Sequence, residues 1–258
     1  MKPRSAPAAF AIRLVKRLVV GTRLEGPVKR AHFAMTGSKN SLYDAMTIAV
    51  MRRVLRRDSN AIDVGAFEGG MLSHMFRFAP EGHHMAFEPL PEHYERLHEA
   101  FPRAQVHPYA LGELNGEITF HHVLRYPALS GARRRIDLEP SVKVREERVT
   151  METLDRMVPE EFPVAFVKID VEGGELGVLR GGIRTLRRTR PVVVFECGLG
   201  GADTYETGPE EVFDFVSGAI GLRLSLLDAW LAGRAALSRD AFIAQFVRSI
   251  NFLFIAHP

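Results

Sequence analysis

The chain has 258 residues, of which 46% are hydrophobic, 25% charged and 9% aromatic, and its 34 Lys+Arg against 31 Asp+Glu leave a net charge of +3. That composition excludes a disordered or collagen-like chain and suits a domain with a substantial buried core. Charges interrupt every apolar run before the roughly 18 residues a membrane span needs, and the lone Cys197 can form no intramolecular disulfide, so a cytoplasmic setting without a cysteine metal site is expected.

Residues 1–40 read as a basic helical extension. Phe10, Leu14 and Leu18 recur at helical spacing while Arg13, Lys16 and Arg17 break the run, which argues against a secretory signal. Such a helix suits packing on the domain or on a partner subunit, or contact with an anionic membrane surface. A single domain is expected over 41–258. Ser41 with Asp44 resembles a capping box, and Leu42, Met46, Ala49, Val50 and Val54 share one helical face.

Short, continuously apolar runs follow at Ala61–Val64, Met85–Phe87, Val164–Ile169 and Val192–Phe195. Strands that are apolar on both faces belong in a parallel sheet covered on both sides. Helix-period segments separate them: one opened by Pro91 with Leu90, Tyr94, Leu97 and Phe101 on a side, another marked by Leu176, Leu179, Ile183 and Leu186. This alternation predicts an α/β, doubly wound sheet. Between 116 and 150 the rhythm changes to two strands, Glu117–Val123 and Val142–Val149, joined by a basic loop, an insertion placed to face a substrate. Leu222–Leu227, a helix around Ala241–Val247 and Asn251–Ile255 close the sheet.

Three motifs carry chemistry. Asp63-Val64-Gly65-Ala66-Phe67-Glu68-Gly69-Gly70 is a glycine-rich turn from strand to helix, with neither the GxGxxG spacing of a dinucleotide site nor the Gly-Lys-Ser/Thr of a P-loop. Glu88 ends the next strand in Phe87-Glu88-Pro89, where a carboxylate can accept from both ribose hydroxyls. NAD and S-adenosylmethionine both meet that requirement, and the glycine spacing favours the second. Lys168-Ile169-Asp170-Val171-Glu172-Gly173-Gly174-Glu175 places three carboxylates after a buried strand. With Asp63, Glu88 and Glu196, four strands end in an acid, and ligands of open α/β sheets bind outside those ends.

Asp63-Val64-Gly65-Ala66-x-x-Gly69, Phe87-Glu88-Pro89, Ala110-Leu111-Gly112 with Gly116, Lys168-Ile169-Asp170-Val171-Glu172-Gly173-x-Glu175 with Leu179-Arg180-Gly181, and Pro191–Glu196 occur in this order, and the chain thereby resembles the FkbM-type S-adenosylmethionine-dependent methyltransferases. The resemblance implies a Rossmann-like class I methyltransferase sheet of seven strands, the last antiparallel, with helices on both faces. It implies O-methylation of a hydroxyl in a sugar or secondary metabolite, with S-adenosylhomocysteine as product. The cofactor residues it points to are Asp63, Gly65, Ala66, Phe67, Gly69, Glu88, Pro89, Ala110, Leu111 and Asp170. The family often has Asn or His at the position of Phe67 and Thr at that of Leu72, so Phe67 belongs to this site without a polar side-chain contact.

A hydroxyl is a weak acid, so a positioned base assists its methylation. Asp170 and Glu172 are the first candidates, and His122 or its neighbour His121 the next, since only one of two adjacent strand residues can face the crevice. Glu175 reads as a helix N-terminal charge. The acids at 170, 172 and 175 with a histidine could hold a metal, but no HExxH or EF-hand spacing supports one, and none is assigned. Arg133, Arg134 and Arg135 suit either a solvated loop or a clamp for an anionic acceptor. Two other readings remain: an RNA methyltransferase, favoured by the basic balance but by no stacking-aromatic motif, and a non-catalytic nucleotide-binding relative.

Overall fold

A computed structural model describes residues 39–135, 138–139 and 141–258. The extension expected over 1–40 lies almost wholly outside the described residues. Ten strands are present among them: β1 (Ala61–Val64), β2 (Met85–Phe87), β3 (Gln105–His107), β4 (Tyr109–Leu111), β5 (Gly116–Val123), β6 (Val144–Glu152), β7 (Phe166–Ile169), β8 (Val192–Glu196), β9 (Arg223–Ser225) and β10 (Leu253–His257). Seven form one sheet in the order β3-β2-β1-β7-β8-β10-β9, in which β10 runs antiparallel to both neighbours and the first five strands are parallel. The chain order reverses at the β1–β7 boundary, where a doubly wound sheet opens its crevice.

The helices are α1 (Lys39–Val54), α2 (Gly70–Phe78), α3 (Pro91–Ala100), α4 (Leu154–Met157), α5 (Glu175–Gly181), α6 (Ile183–Thr189), α7 (Pro209–Asp214), α8 (Leu227–Leu231) and α9 (Arg239–Val247). Alternate strand residues feed two separate cores. Ile62, Phe87, Val167, Phe195 and Phe254 belong to one, and Ala61, Ala86, Phe166, Val194 and Ile255 to the other. The sheet is therefore buried on both faces, which explains its lack of polar alternation.

The insertion builds a second sheet, ordered β4-β6-β5, with β5 and β6 antiparallel and β4 parallel to β6. Its inner side packs Phe120 and Val149 against Leu90 and Ala110. The sequence pattern missed β3 and β4, each only three residues long.

Two helix expectations are corrected. Ser41 lies inside α1 instead of capping it, and the buried side is Tyr43, Thr47, Val50 and Met51, with Ala49 exposed. Tyr43 turns the helix: its hydroxyl donates to Asn251 Oδ1 at 2.7 Å and its ring meets Phe252 edge-on at 4.7 Å. The segment around Leu176–Leu186 is two helices, separated at Gly182, because the backbone there presses on the β4–β5 turn. A Cβ at Gly181 would stand 2.0 Å from the Gly112 carbonyl oxygen.

Candidate active site

Strand register brings the charged residues together. Lys168 pairs with Asp63 on one side and Val194 on the other, so Asp63 and Lys168 are neighbours on one face. Two residues further along the same face come Asp170 and Glu196. The Lys168 ammonium stands 3.0 Å from Asp170 Oδ2 and 3.9 Å from Asp63 Oδ1. Burial alone would depress the Lys168 pKa, but Asp170 and Asp63 outweigh it and hold the amine charged.

These residues form the floor of a cavity of about 750 Å³ at the C-terminal ends of β1, β2 and β7. Its wall includes Gly65, Ala66, Phe67, Glu88 and Pro89, and its roof is Ala110, Leu111, Ile118, Phe120 and Ser130 from the second sheet and its loop. Of the residues expected from the sequence, Asp63, Gly65, Ala66, Phe67, Glu88, Pro89, Ala110, Leu111, Asp170 and Glu172 line this space, whereas Gly69 and His122 do not. Gly69 sits behind the wall, where a Cβ would meet the Phe101 ring at 2.4 Å. His122 is buried on β5 with its Nδ1 turned to Glu147 Oε1 at 2.7 Å and its Nε2 3.4 Å from Glu92, away from the crevice.

The glycine turn earns its conformation from protein contacts. Gly65 has φ +77°, and a Cβ there would lie 1.9 Å from the Asp170 carbonyl oxygen, so β1 and β7 could not close together with any side chain at 65. The Gly65 and Ala66 amides donate to the Phe87 carbonyl at 3.0 and 3.1 Å. Phe67, also left-handed at φ 48°, donates its amide to Glu88 Oε2 at 2.9 Å. The Leu90 amide reaches Glu88 Oε1 at 3.0 Å. Glu88 therefore ties the first turn to the second, leaving a further acceptor position on each oxygen. Burial raises its pKa to about 7.

Asp63 is 1% exposed, and its carboxylate faces the Lys168 ammonium at 3.9 Å and the Leu72 amide, but among the described residues neither oxygen has a hydrogen bond of full geometry. Desolvation raises its pKa to about 6 against the pull of Lys168. A buried carboxylate held this loosely on a cavity floor is costly unless something with donors completes it.

Glu172 has φ 59°, and burial, with Asp170 beside it, raises its pKa to about 8 even though the Arg135 guanidinium pairs with it. Glu175 is buried and accepts from the Val171 and Gly173 amides at 3.0 and 3.1 Å. It holds the loop after β7 and takes no part in the cavity. One oxygen each from Asp170, Glu172 and Glu196 fall within 4.8 Å of one another. This differs from the grouping of 170, 172 and 175 with a histidine: Glu196 replaces Glu175 and no histidine joins. Lys168 and Arg135 already bring positive charge to the cluster, and it carries no metal assignment.

The arginine run divides. Arg133 stacks over the Tyr205 ring at 5.2 Å at the cavity mouth, with its amide donating to the Tyr205 hydroxyl at 3.0 Å, while Arg135 turns inward to Glu172. Tyr205 lines the cavity and packs on Gly173 and Gly174, and burial pushes its pKa up to about 12. Neither Tyr205 nor Lys168 was singled out from the sequence. Tyr205 stands in no motif, but Lys168 had a signal: a charged residue inside a four-residue buried strand demands partners.

A sheet ordered 3-2-1 and then outward, closed by an antiparallel strand and with a cavity at the reversal point, is the Rossmann-like class I methyltransferase fold. Residues 63–217 match the methyltransferase FkbM domain, and the chain belongs to that family. The structure of methyltransferase FkbM from Methylobacillus flagellatus KT is 14% identical and superposes with a TM-score of 0.50 over 79% of this chain and 44% of its own, so this chain spans less than half the length of that protein. More distant matches include an rRNA methylase from Streptococcus thermophilus (11% identity, TM-score 0.42, 83% of this chain and 94% of that one) and Aeropyrum pernix fibrillarin with natively bound S-adenosyl-L-methionine (12%, 0.41, 83% and 74%). No curated protein sequence matches the chain. No helix among the described residues is long and apolar enough to cross a membrane.

Proposed function

We propose that the chain is an S-adenosylmethionine-dependent methyltransferase that methylates a hydroxyl of a small molecule. The observation that carries this reading is the buried, loosely held Asp63 carboxylate on the floor of a roofed cavity whose far wall is Glu88. S-adenosylmethionine offers donors for both: an ammonium group and two ribose hydroxyls. Asp63, Gly65, Ala66, Phe67, Glu88, Pro89, Ala110 and Leu111 would hold it, Glu88 through its remaining acceptor positions and Phe67 through ring contact. When bound, the cofactor supplies an electrophilic methyl carbon on a sulfonium.

The chain's own part is to orient the acceptor and manage its proton. The Asp170 side chain is 36% exposed against 13% for Glu172, and Lys168 fixes it from behind at 3.0 Å. A carboxylate anchored in this way can receive the hydroxyl proton at the cavity. Glu172, with its pKa near 8, can take over a shared proton. The hairpin roof limits the size of the acceptor, and Arg133 at the mouth suits an acceptor with an anionic group.

The test is mass spectrometry of metabolite and RNA pools incubated with the full chain and methyl-labelled cofactor. Label in a small hydroxyl compound supports the reading; label confined to RNA, or none in either pool, overturns it.

A further inference from the structure

Outside the cavity, the hairpin meets α3 through a cluster that the methyl-transfer reading does not use. Glu92 and His93 on α3 and His122 on β5 each present one ligand atom, and all three atoms fall within 4.8 Å of one another. We propose that these residues form a zinc-type divalent cation site that fastens the β5–β6 hairpin to α3.

The surroundings of His122 support this. Glu147 is held by Arg145, whose Nη2 lies 2.7 Å from the same Oε1 that His122 Nδ1 approaches at 2.7 Å, and 3.2 Å from Nδ1 itself. These contacts fix the ring from its Nδ1 side, and Nε2 on the other side faces Glu92 Oε1 at 3.4 Å. Carboxylate bonding to the far nitrogen is also the arrangement that orients metal-binding histidines.

The spacing fits as well. Ligands 2.0–2.1 Å from a tetrahedral zinc stand about 3.3 Å apart, close to the 3.4 Å between Nε2 and Oε1. His93 supplies an independent sign. It is 4% exposed and neither ring nitrogen has a hydrogen-bond partner among the described residues. Its ring lies 6.5 Å from that of His122. Two imidazoles and a carboxylate are a zinc ligand set, and the half-exposed Glu92 side leaves the fourth position to water.

The location gives the site a consequence. His93 packs on Phe67 at 4.6 Å between ring centroids, and Phe67 lines the cavity that the hairpin roofs. The cation would hold wall and roof in one arrangement.

The experiment is a zinc titration of the full chain after dialysis against a chelator, with cobalt as a spectroscopic substitute. One zinc per chain at micromolar affinity or tighter, a rise in melting temperature with zinc, and a tetrahedral cobalt spectrum are expected. Glu92→Gln, at an exposed position that does not threaten folding, should weaken binding at least ~10-fold, and His93→Gln more, with Glu147→Gln also ~10- to 100-fold weaker. Absence of zinc binding by the wild-type chain, or affinity unchanged in Glu92→Gln and His93→Gln, overturns the site. The second outcome would send the metal elsewhere, such as to the acids at 170, 172 and 196.

Discussion

Lys168 on β7 and Asp170 just beyond its end are joined at 3.0 Å, and the same ammonium lies 3.9 Å from Asp63 on the adjacent strand. One cation thus stands between the carboxylate proposed to face the cofactor and the one proposed to face the acceptor. Lys168→Met removes it and leaves buried charge uncompensated, at an expected cost of about 3–5 kcal/mol. Urea unfolding measures this, and adding Asp63→Asn should recover part of the loss.

Asp170→Asn keeps the shape of the residue but cannot take a proton. Turnover should fall by about 10²- to 10⁴-fold, while calorimetric affinity for S-adenosylhomocysteine changes by no more than a few-fold. Turnover equal to wild type would show that another group receives the proton.

Gly65 and Gly70 flank the same turn but answer to different constraints. Gly65→Ala combines φ +77° with a Cβ 1.9 Å from the Asp170 carbonyl, so a loss of about 2–4 kcal/mol is expected in thermal or urea unfolding. At Gly70 a Cβ would meet nothing within 4 Å and the residue opens α2. Gly70→Ala should be neutral or slightly stabilising by about 0.5–1 kcal/mol.

Asp63, Glu88, Glu172 and Glu175 all have pKa values raised by burial, to about 6, 7, 8 and 7. Between the ordinary carboxylate range and these values the native state binds more protons than the unfolded chain, so their contribution to stability is complete at low pH and is lost as pH rises to about 8. His84, His93, His107 and His257, whose pKa values burial lowers, work in the opposite direction below about pH 6.5, so urea midpoints should fall from about pH 6.5 to pH 8. Glu175→Gln retains an oxygen for the Val171 and Gly173 amides but removes one titrating group. It should flatten that decline and raise the midpoint at pH 8.

The doubly wound parallel sheet and the crevice were legible because buried parallel strands leave unbroken apolar runs, and because Asp63, Glu88 and Asp170 fall at or near strand ends. What was not legible depends on three-dimensional partners. The hairpin strands were readable from Val and charge alternation, but whether His121 or His122 faced the crevice was not. His122 points inward to α3 through contacts with Glu92 and Glu147, 30 and 25 residues away in the chain. Glu196 was visible as a strand-end acid, yet its place beside Asp170 required the register of β7 on β8. Arg135 and Arg133 looked alike in one run and have opposite surroundings. The face of α1 was misread because its fixing contacts, from Tyr43 to Asn251 and Phe252, come from the far end of the chain.

S-adenosylmethionine is the proposed occupant of the cavity between Asp63, Glu88 and the hairpin roof. Titration calorimetry of the full chain with S-adenosylhomocysteine tests it most directly, with Glu88→Ala and NAD as controls. One site per chain at micromolar affinity is expected, with a loss of at least ~10-fold in Glu88→Ala as charge-assisted hydrogen bonds disappear, and no heat with NAD. Binding of NAD with none of S-adenosylhomocysteine would contradict it.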